Sequence, residues 1–322
     1  MVGVVGTGNW GRNHVRNFAE LGALRAICDI SETALARCRE AYPEVRTYTD
    51  LGGVLGDPEI TAIVLATPAR HHYSGARTAL QAGRHVLVEK PMTLSVEEAD
   101  ELTGLARQHG LVLMVGHILE YHPAFVKLKE WVADGRLGKL VYLYSHRLDL
   151  GRILQEENVL WSLAPHDLSM MLRLLGCAPD SVQATGSASI TPGIEDSVTA
   201  SLSFPNGVRA HVFVSWLHPF KEQRLVVIGT QGMAVFDDVV EEGKLKLYPG
   251  GVRWENDVPV PAAGEPEVVP YDSVEPLRAE CQHFISCIRN GQRPLTDGLR
   301  GLEIARVLDA CQHSLDADGA PA

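Results

Sequence analysis

No stretch of about 20 uncharged apolar residues runs anywhere in this 322-residue chain, and no charged start leads into an apolar run and a cleavage site. A membrane-spanning or exported protein is therefore not expected, and a soluble cytoplasmic one is. Positive charge is scarce. Twenty-nine Lys and Arg face 40 Asp and Glu, a formal net charge of −11, so a general nucleic-acid binder, which needs a basic footprint against the phosphate backbone, is excluded. The six cysteines, at 28, 38, 177, 281, 287 and 311, form no C-x-x-C pair and no His/Cys metal spacing. They read as buried, reduced thiols rather than as disulfides or metal ligands. There is also no internal repeat at 20 to 50 residue spacing and no low-complexity tract, which rules out a solenoid and a disordered chain.

What is present is 45% hydrophobic composition, enough for two packed cores at this length. From Met1 to about Leu113, the apolar runs VGVVG, LRAICDI, TAIVLATP, RHVLVEKP and LVLMVGH alternate with helical segments such as Trp10 to Leu21 and Val96 to His109. That alternation predicts a doubly wound, parallel α/β sheet. After Gly116 the texture changes to a helix around Pro123 to Asp134, a strand at Lys139 to Arg147, and a helix from about Pro165 to Leu175 closed by Gly176. From Ser181 onward, runs of near-period-two alternation separated by Pro205-Asn206-Gly207 and Thr230-Gln231-Gly232 predict a large, mainly antiparallel open sheet. Residues 256 to 272, rich in Pro, Gly and acid, read as an exposed connection before helices at about 274 to 289 and 300 to 315. The expected division is a Rossmann domain over 1–117 and a second α/β domain over 118–322, with C-terminal helices packing back.

Gly6-Thr7-Gly8-Asn9-Trp10-Gly11 directly follows the strand Val2 to Val5 and opens a helix. In that context Gly6 permits the tight turn, Gly8 lets a backbone approach a pyrophosphate, and Gly11 lets helix pack on strand. The helix N-terminus supplies N–H donors and the positive dipole end, so no Lys or Arg is needed there. Asp29 ends the next apolar run, where its carboxylate accepts both ribose hydroxyls and repels a 2′-phosphate. Ile30 and Ser31 bring no cation beside it, so the expected cofactor is NAD rather than NADP.

Two further segments end strands in the same half: Ala66-Thr67-Pro68 followed by His71-His72, and Glu89-Lys90-Pro91. Carboxyl ends of parallel strands face the ligand crevice, so both are candidates to border the nicotinamide. His72 either lines the cofactor pocket or serves the loop. GTGNWG, ATPARHH, VEKP and the later LAPHD, in this order and spacing, resemble the glucose-fructose oxidoreductase and inositol dehydrogenase family, Gfo/Idh/MocA. The resemblance extends into the tail at Glu280, His283, Phe284 and Ile288. It implies a Rossmann domain plus an open-faced sheet domain, NAD(P) as hydride carrier, and a sugar, cyclitol or nucleotide-sugar substrate.

By that resemblance Lys90 matches the family's active-site lysine and His166 its catalytic histidine. Oxidising a secondary alcohol needs a group that takes the hydroxyl proton as hydride leaves, and a neutral imidazole, of pKa about 6.5, does this at neutral pH. An ammonium stabilises the developing alkoxide. The chain departs from the family pattern at Ser162, where many members carry an Asp four residues before the histidine. A serine adds no negative charge. Asp167 points away from its neighbour and is expected to serve the helix N-terminal dipole.

Tyr121, in the segment Gly116 to Pro123, is a candidate for substrate or nicotinamide contact, with packing the competing role. Arg147, Arg152 and the segment His218 to Arg224 offer cations suited to a nucleotide diphosphate, or are simply solvated. GHILEYHP, NVLW, APHD and SWLHPFKEQ together are most similar to the nucleotide-sugar branch, which implies oxidation at C3 of a UDP-N-acetylhexosamine or its uronic acid. Two other readings stand beside it: a dehydrogenase of free sugars or cyclitols, and a non-catalytic NAD-binding sensor or partner subunit, motivated by Ser162. An open antiparallel sheet face also suggests a homodimer or homotetramer.

Overall fold

The structure, a computed structural model, describes the backbone of residues 1–322 and every side chain except that of Ala263. The chain divides into two units: Met1–Ile118 with Glu275–Ala305, and Leu119–Val274 with Arg306–Ala322. The first unit carries β1 (Val2–Val5), β2 (Leu24–Cys28), β3 (Arg46–Tyr48), β4 (Ala62–Leu65), β5 (His85–Glu89) and β6 (Leu113–Gly116). They form one parallel sheet in the order β3-β2-β1-β4-β5-β6. This is the doubly wound order, and its reversal point lies between β1 and β4. Helices α1 (Asn9–Glu20), α2 (Glu32–Ala41), α3 (Leu51–Leu55), α4 (His72–Gln81) and α5 (Val96–Gln108) connect the strands. Central strands are apolar on both faces: Ala62 to Leu65 and Val86 to Val88 are all buried, as a sheet covered on both sides requires.

In the second unit, β7 (Leu140–Leu148), β8 (Ser181–Ser187), β9 (Ser197–Ser203), β10 (Arg209–Ser215), β11 (Glu222–Gly229), β12 (Gly232–Asp237), β13 (Leu245–Glu255), β14 (Val258–Ala263) and β15 (Glu267–Val268) make a nine-stranded sheet. Every pairing is antiparallel except β7 with β10. Helices α6 (Pro123–Ala133) and α7 (Val159–Leu175) precede most of these strands, while α8 (Pro276–Asn290) and α9 (Gly298–Asp316) follow them. Leu143, Ser145 and Arg147 of β7 are buried, and the alternate residues Tyr142, Tyr144 and His146 are half-buried on the opposite face. There they form a ring cluster with His211 and Phe213 of β10.

Three expectations need correcting. Residues 256 to 272 are not a plain connection, because β14 and β15 lie within them. Asn256 and Asp257, both at positive φ, 52° and 63°, make a two-residue turn of the kind that joins twisted antiparallel strands. Pro259 and Pro261 fit because β14 is an edge strand, where a missing N–H costs no ladder bond. Second, α7 begins at Val159 rather than near Pro165, capped by the Asn158 side chain, which accepts from Trp161 N at 3.3 Å. Pro165 sits inside the helix and withholds the N–H that the Trp161 carbonyl would otherwise accept. Third, Cys177 is half-buried, while the other five free cysteines are buried as expected. Burial pushes the thiols of Cys28 and Cys311 up to about 12. No helix among the described residues is long and apolar enough to cross a membrane.

Candidate active site

The glycine turn behaves as three different constraints. Gly6 has φ 88°, and a Cβ on it would stand 2.7 Å from the Ala66 carbonyl oxygen. A Cβ on Gly11 would fall 1.8 Å from the Gly6 carbonyl oxygen, so no side chain fits there. Around Gly8, by contrast, nothing lies within 4 Å of where a Cβ would be. Gly6 and Gly11 are thus packed against protein, and Gly8 is open to a ligand. Gly8 is also the N-cap of α1, with no side chain satisfying the first N–H groups and no acid in the first turn. A pyrophosphate fits that vacant set of donors and the dipole behind it.

Asp29 stands at the end of β2, fixed by three donors. Thr7 N and Thr7 Oγ1 donate to Oδ2 at 2.7 and 2.6 Å, and Ser31 N donates to Oδ1 at 2.8 Å. Burial pushes the carboxyl's pKa up, but these bonds outweigh it and hold the group below the usual carboxylate range. Thr7, spaced 22 residues from Asp29, therefore aims the carboxylate as well as shaping the turn. Asn9 accepts from Arg12 Nη2 at 3.0 Å, and Trp10 is exposed. Arg12 and Arg37 line a hollow with Thr7, Gly8 and Asn9 between α1 and α2. The chain neighbours of Asp29 alone did not reveal these cations.

Ala66, Thr67 and Pro68 follow β4, and Glu89 ends β5 with Lys90 beyond it, at the same edge of the sheet as the glycine turn. His72 is buried. Its Nδ1 lies 2.7 Å from the Pro91 carbonyl oxygen and its Nε2 2.8 Å from that of Thr67, so it spans the ends of β4 and β5. Burial holds its pKa below the ordinary histidine value against the pull of the two carbonyls and of Glu89. Glu89 meets His14 Nε2 at 2.7 Å and accepts from Lys90 N at 3.3 Å. His14 was missed by sequence reasoning, its only signal being a histidine on the buried side of α1, one turn beyond Gly11.

In the second unit, Ser162 and His166 lie four residues apart on α7, one above the other. Ser162 is buried and His166 half-buried. Asp167 is not at a helix N-terminus, since α7 starts eight residues earlier, and it is wholly buried. It accepts from Arg147 Nε at 2.8 Å and Nη2 at 3.2 Å, and from Ser145 Oγ. The Arg147 charge is thus matched inside the fold, pinning α7 to β7. Breaking one side of such a buried pair typically costs about 3–5 kcal/mol. Tyr121 is buried in a short helical turn at Ile118–Tyr121, beside Glu120, whose carboxylate accepts from Arg173 Nε at 2.5 Å. Arg152 is exposed.

Residues 1–117 match an oxidoreductase family described by its NAD-binding Rossmann fold, and residues 125–235 match the GFO/IDH/MocA C-terminal domain. Among curated proteins, a UDP-N-acetylglucosamine 3-dehydrogenase of Acidithiobacillus ferrooxidans is 31% identical over 94% of this chain and 93% of its own length. A scyllo-inositol 2-dehydrogenase (NAD(+)) of Bacillus subtilis is 26% identical, covering 91% of this chain and 87% of its own. A solved structure of a UDP-N-acetylglucosamine 3-dehydrogenase from Acidithiobacillus ferrooxidans superposes with a TM-score of 0.85 at 29% identity, over 98% of both chains.

Proposed function

The chain belongs to the Gfo/Idh/MocA oxidoreductase family and is an NAD-dependent dehydrogenase, and from that premise we propose that it oxidises C3 of a UDP-N-acetylhexosamine or of its uronic acid. The likeness to the UDP-N-acetylglucosamine 3-dehydrogenase of Acidithiobacillus ferrooxidans carries this reading, because it runs through both the cofactor-binding half and the half that holds His166.

Bound NAD+ would supply the hydride acceptor for the carbinol carbon. His166 takes the hydroxyl proton, and Lys90 stabilises the negative charge that builds on the oxygen. Asp29, aimed by Thr7, would accept the adenosine ribose hydroxyls, and the Gly8 turn would receive the pyrophosphate. Ala66, Thr67 and Pro68 border the nicotinamide, while the Glu89 carboxylate faces His14. The product is a 3-keto sugar, and one NADH forms per sugar oxidised.

The test is NADH absorbance with NAD+ and a panel of UDP-N-acetylglucosamine, UDP-N-acetylgalactosamine, the corresponding uronic acid, free N-acetylglucosamine and scyllo-inositol. Turnover is expected with a UDP sugar and at least 100-fold less kcat/KM with the free compounds, about 2.7 kcal/mol of discrimination. Turnover of scyllo-inositol with no response to UDP sugars moves the enzyme to the cyclitol class. The same assay reads cofactor choice. Asp29→Ala is expected to raise KM for NAD+ about 10- to 100-fold, since a hydrogen bond to a charged group is worth roughly 1.5–3 kcal/mol. KM for NADP+ should fall or stay unchanged, because Arg12 and Arg37 remain nearby. An unchanged NAD+/NADP+ ratio removes Asp29 from the cofactor site.

A further inference from the structure

Lys90 is the first lysine of the chain; the next is Lys127. In the first unit, where every other basic side chain is Arg or His, this one ammonium group is set on a turn whose backbone is held from both sides. On one side the Lys90 N–H donates to Glu89 Oε2 at 3.3 Å. On the other the Pro91 carbonyl lies 2.7 Å from His72 Nδ1.

Glu89 is itself clamped. Its side chain is 13% exposed, and that of His14 is fully buried. His14 Nε2 stands 2.7 Å from Oε1, while Oε2 lies 3.0 Å from where a Cβ on Gly116 would be, so a larger residue at the end of β6 would displace it. The other ring nitrogen of His14, Nδ1, faces Cys281 Sγ of α8 at 3.8 Å. Burial pushes the Cys281 thiol far up, so it stays protonated. That gives the chain of donors a direction: Cys281 S–H to His14 Nδ1, and His14 Nε2–H to Glu89, with Glu89 free to accept as a carboxylate. Burial raises the Glu89 pKa, but the His14 hydrogen bond and the nearby Lys90 charge outweigh it and leave the carboxyl below its ordinary range.

We propose that His14 and Glu89 are a positioning pair for Lys90: the Glu89 carboxylate, oriented by His14, places a fixed negative charge beside the lysine and ties its turn to the dinucleotide helix α1. Neither residue touches the reacting atoms. The pair makes the geometry of the Gly6–Gly11 turn and that of Lys90 one rigid arrangement, because His14 lies one turn beyond Gly11 on the same helix. The inference rests on Lys90 as the charged group of the proposed reaction, but its principal test needs no sugar. The ionisable groups around the pair are Lys90 on the β5 turn, His72 on α4, Arg16 on α1, and Glu275, Glu280 and Cys281 at or on α8.

The experiment titrates the Lys90 amine in the NADH-bound full chain, by carbon-13 NMR of reductively methylated protein, with the resonance assigned by its loss in Lys90→Arg. Glu89→Gln removes the negative charge and is expected to lower the Lys90 midpoint by about one pH unit or more. His14→Ala should follow it, and His14→Gln, which keeps a donor toward Oε1, should restore more than half of the shift. NADH affinity should stay within threefold in all three. With whichever sugar is turned over, Glu89→Gln should lower kcat about 30- to 100-fold and leave the sugar KM within threefold. If Glu89→Gln does not fold, the contrast between His14→Ala and His14→Gln decides. A Lys90 midpoint unmoved in Glu89→Gln, or a His14→Gln as impaired as His14→Ala, overturns the pairing. A wrong substrate class leaves the amine titration unaffected, so the two failures read differently.

Discussion

Lys90→Met is expected to lower kcat about 1,000-fold while leaving NADH affinity within a fewfold, measured by fluorescence titration of the nucleotide and by single-turnover NADH formation. The expectation follows from where the charge stands. Lys90 follows the last residue of β5, at the carboxyl edge of the parallel sheet, the edge where ligands bind in this fold. Methionine keeps most of the aliphatic length and loses only the ammonium. Removing one preorganised donor to a developing oxyanion costs about 2.7–4 kcal/mol, or 10²–10³ in rate, and a full charge lies at the upper end. Dinucleotide binding should survive because its proposed anchors are elsewhere, in the open Gly8 turn and in Asp29 held by Thr7. A KM or Kd effect as large as the kcat effect would instead make Lys90 a cofactor ligand. The substitution also leaves Glu89 with one less compensating charge, so a fall of several degrees in Tm is expected, and it should be smaller in Lys90→Arg.

The parts of this molecule that were legible in the sequence are those whose determinants lie within one or two turns of chain. Gly6, Gly8 and Gly11 announce the turn, and the apolar runs at Ala62 to Leu65 and His85 to Glu89 announce strands covered on both faces. β3 went unread because three residues at a sheet edge carry too little periodicity to stand out. β14 was hidden by Pro259 and Pro261, which look like loop punctuation until the strand is known to be an edge. The start of α7 was misplaced because Pro165 resembles a first-turn proline, whereas the cap that acts is Asn158.

Candidate site residues can be picked out one by one in the sequence, but the contacts among side chains cannot. His14 and Glu89 are 75 residues apart, and Arg147 and Asp167 are 20 apart on different elements. No local pattern couples either pair. Asp167 is the instructive case, since a carboxylate beside a histidine near a proline suggests a helix start. Its actual partners, Arg147 and Ser145, come from the inward positions of β7, and that alternation was readable only once the strand's face was known. The same misplacement bears on Ser162 and His166, four residues apart, which share a helix face only because α7 begins at Val159.

That spacing makes Ser162 the position from which His166 can be tuned, and the two substitutions are expected to move in opposite directions. His166→Asn removes the proposed proton acceptor and should lower kcat about 10²- to 10⁴-fold at pH 7. The deficit should narrow as pH rises, because hydroxide supplies the base that the side chain no longer does. Ser162→Asp adds a carboxylate one helical turn from the imidazole. An opposite charge at that range favours the protonated ring and raises its pKa, by about one unit at a partly exposed position. A histidine must be neutral to accept the hydroxyl proton, so the acid limb of kcat/KM against pH should move to higher pH. Activity at pH 6 should then fall severalfold, while at pH 8.5 it equals or exceeds that of the unaltered protein. Opposite behaviour, with the acid limb unmoved and His166→Asn fully active, would mean that the proton leaves by another route. If neither the unaltered protein nor Ser162→Asp turns over any sugar while both bind NADH, the serine marks a dehydrogenase fold kept for binding. If Ser162→Asp alone gains activity, the missing carboxylate is the whole difference between the two.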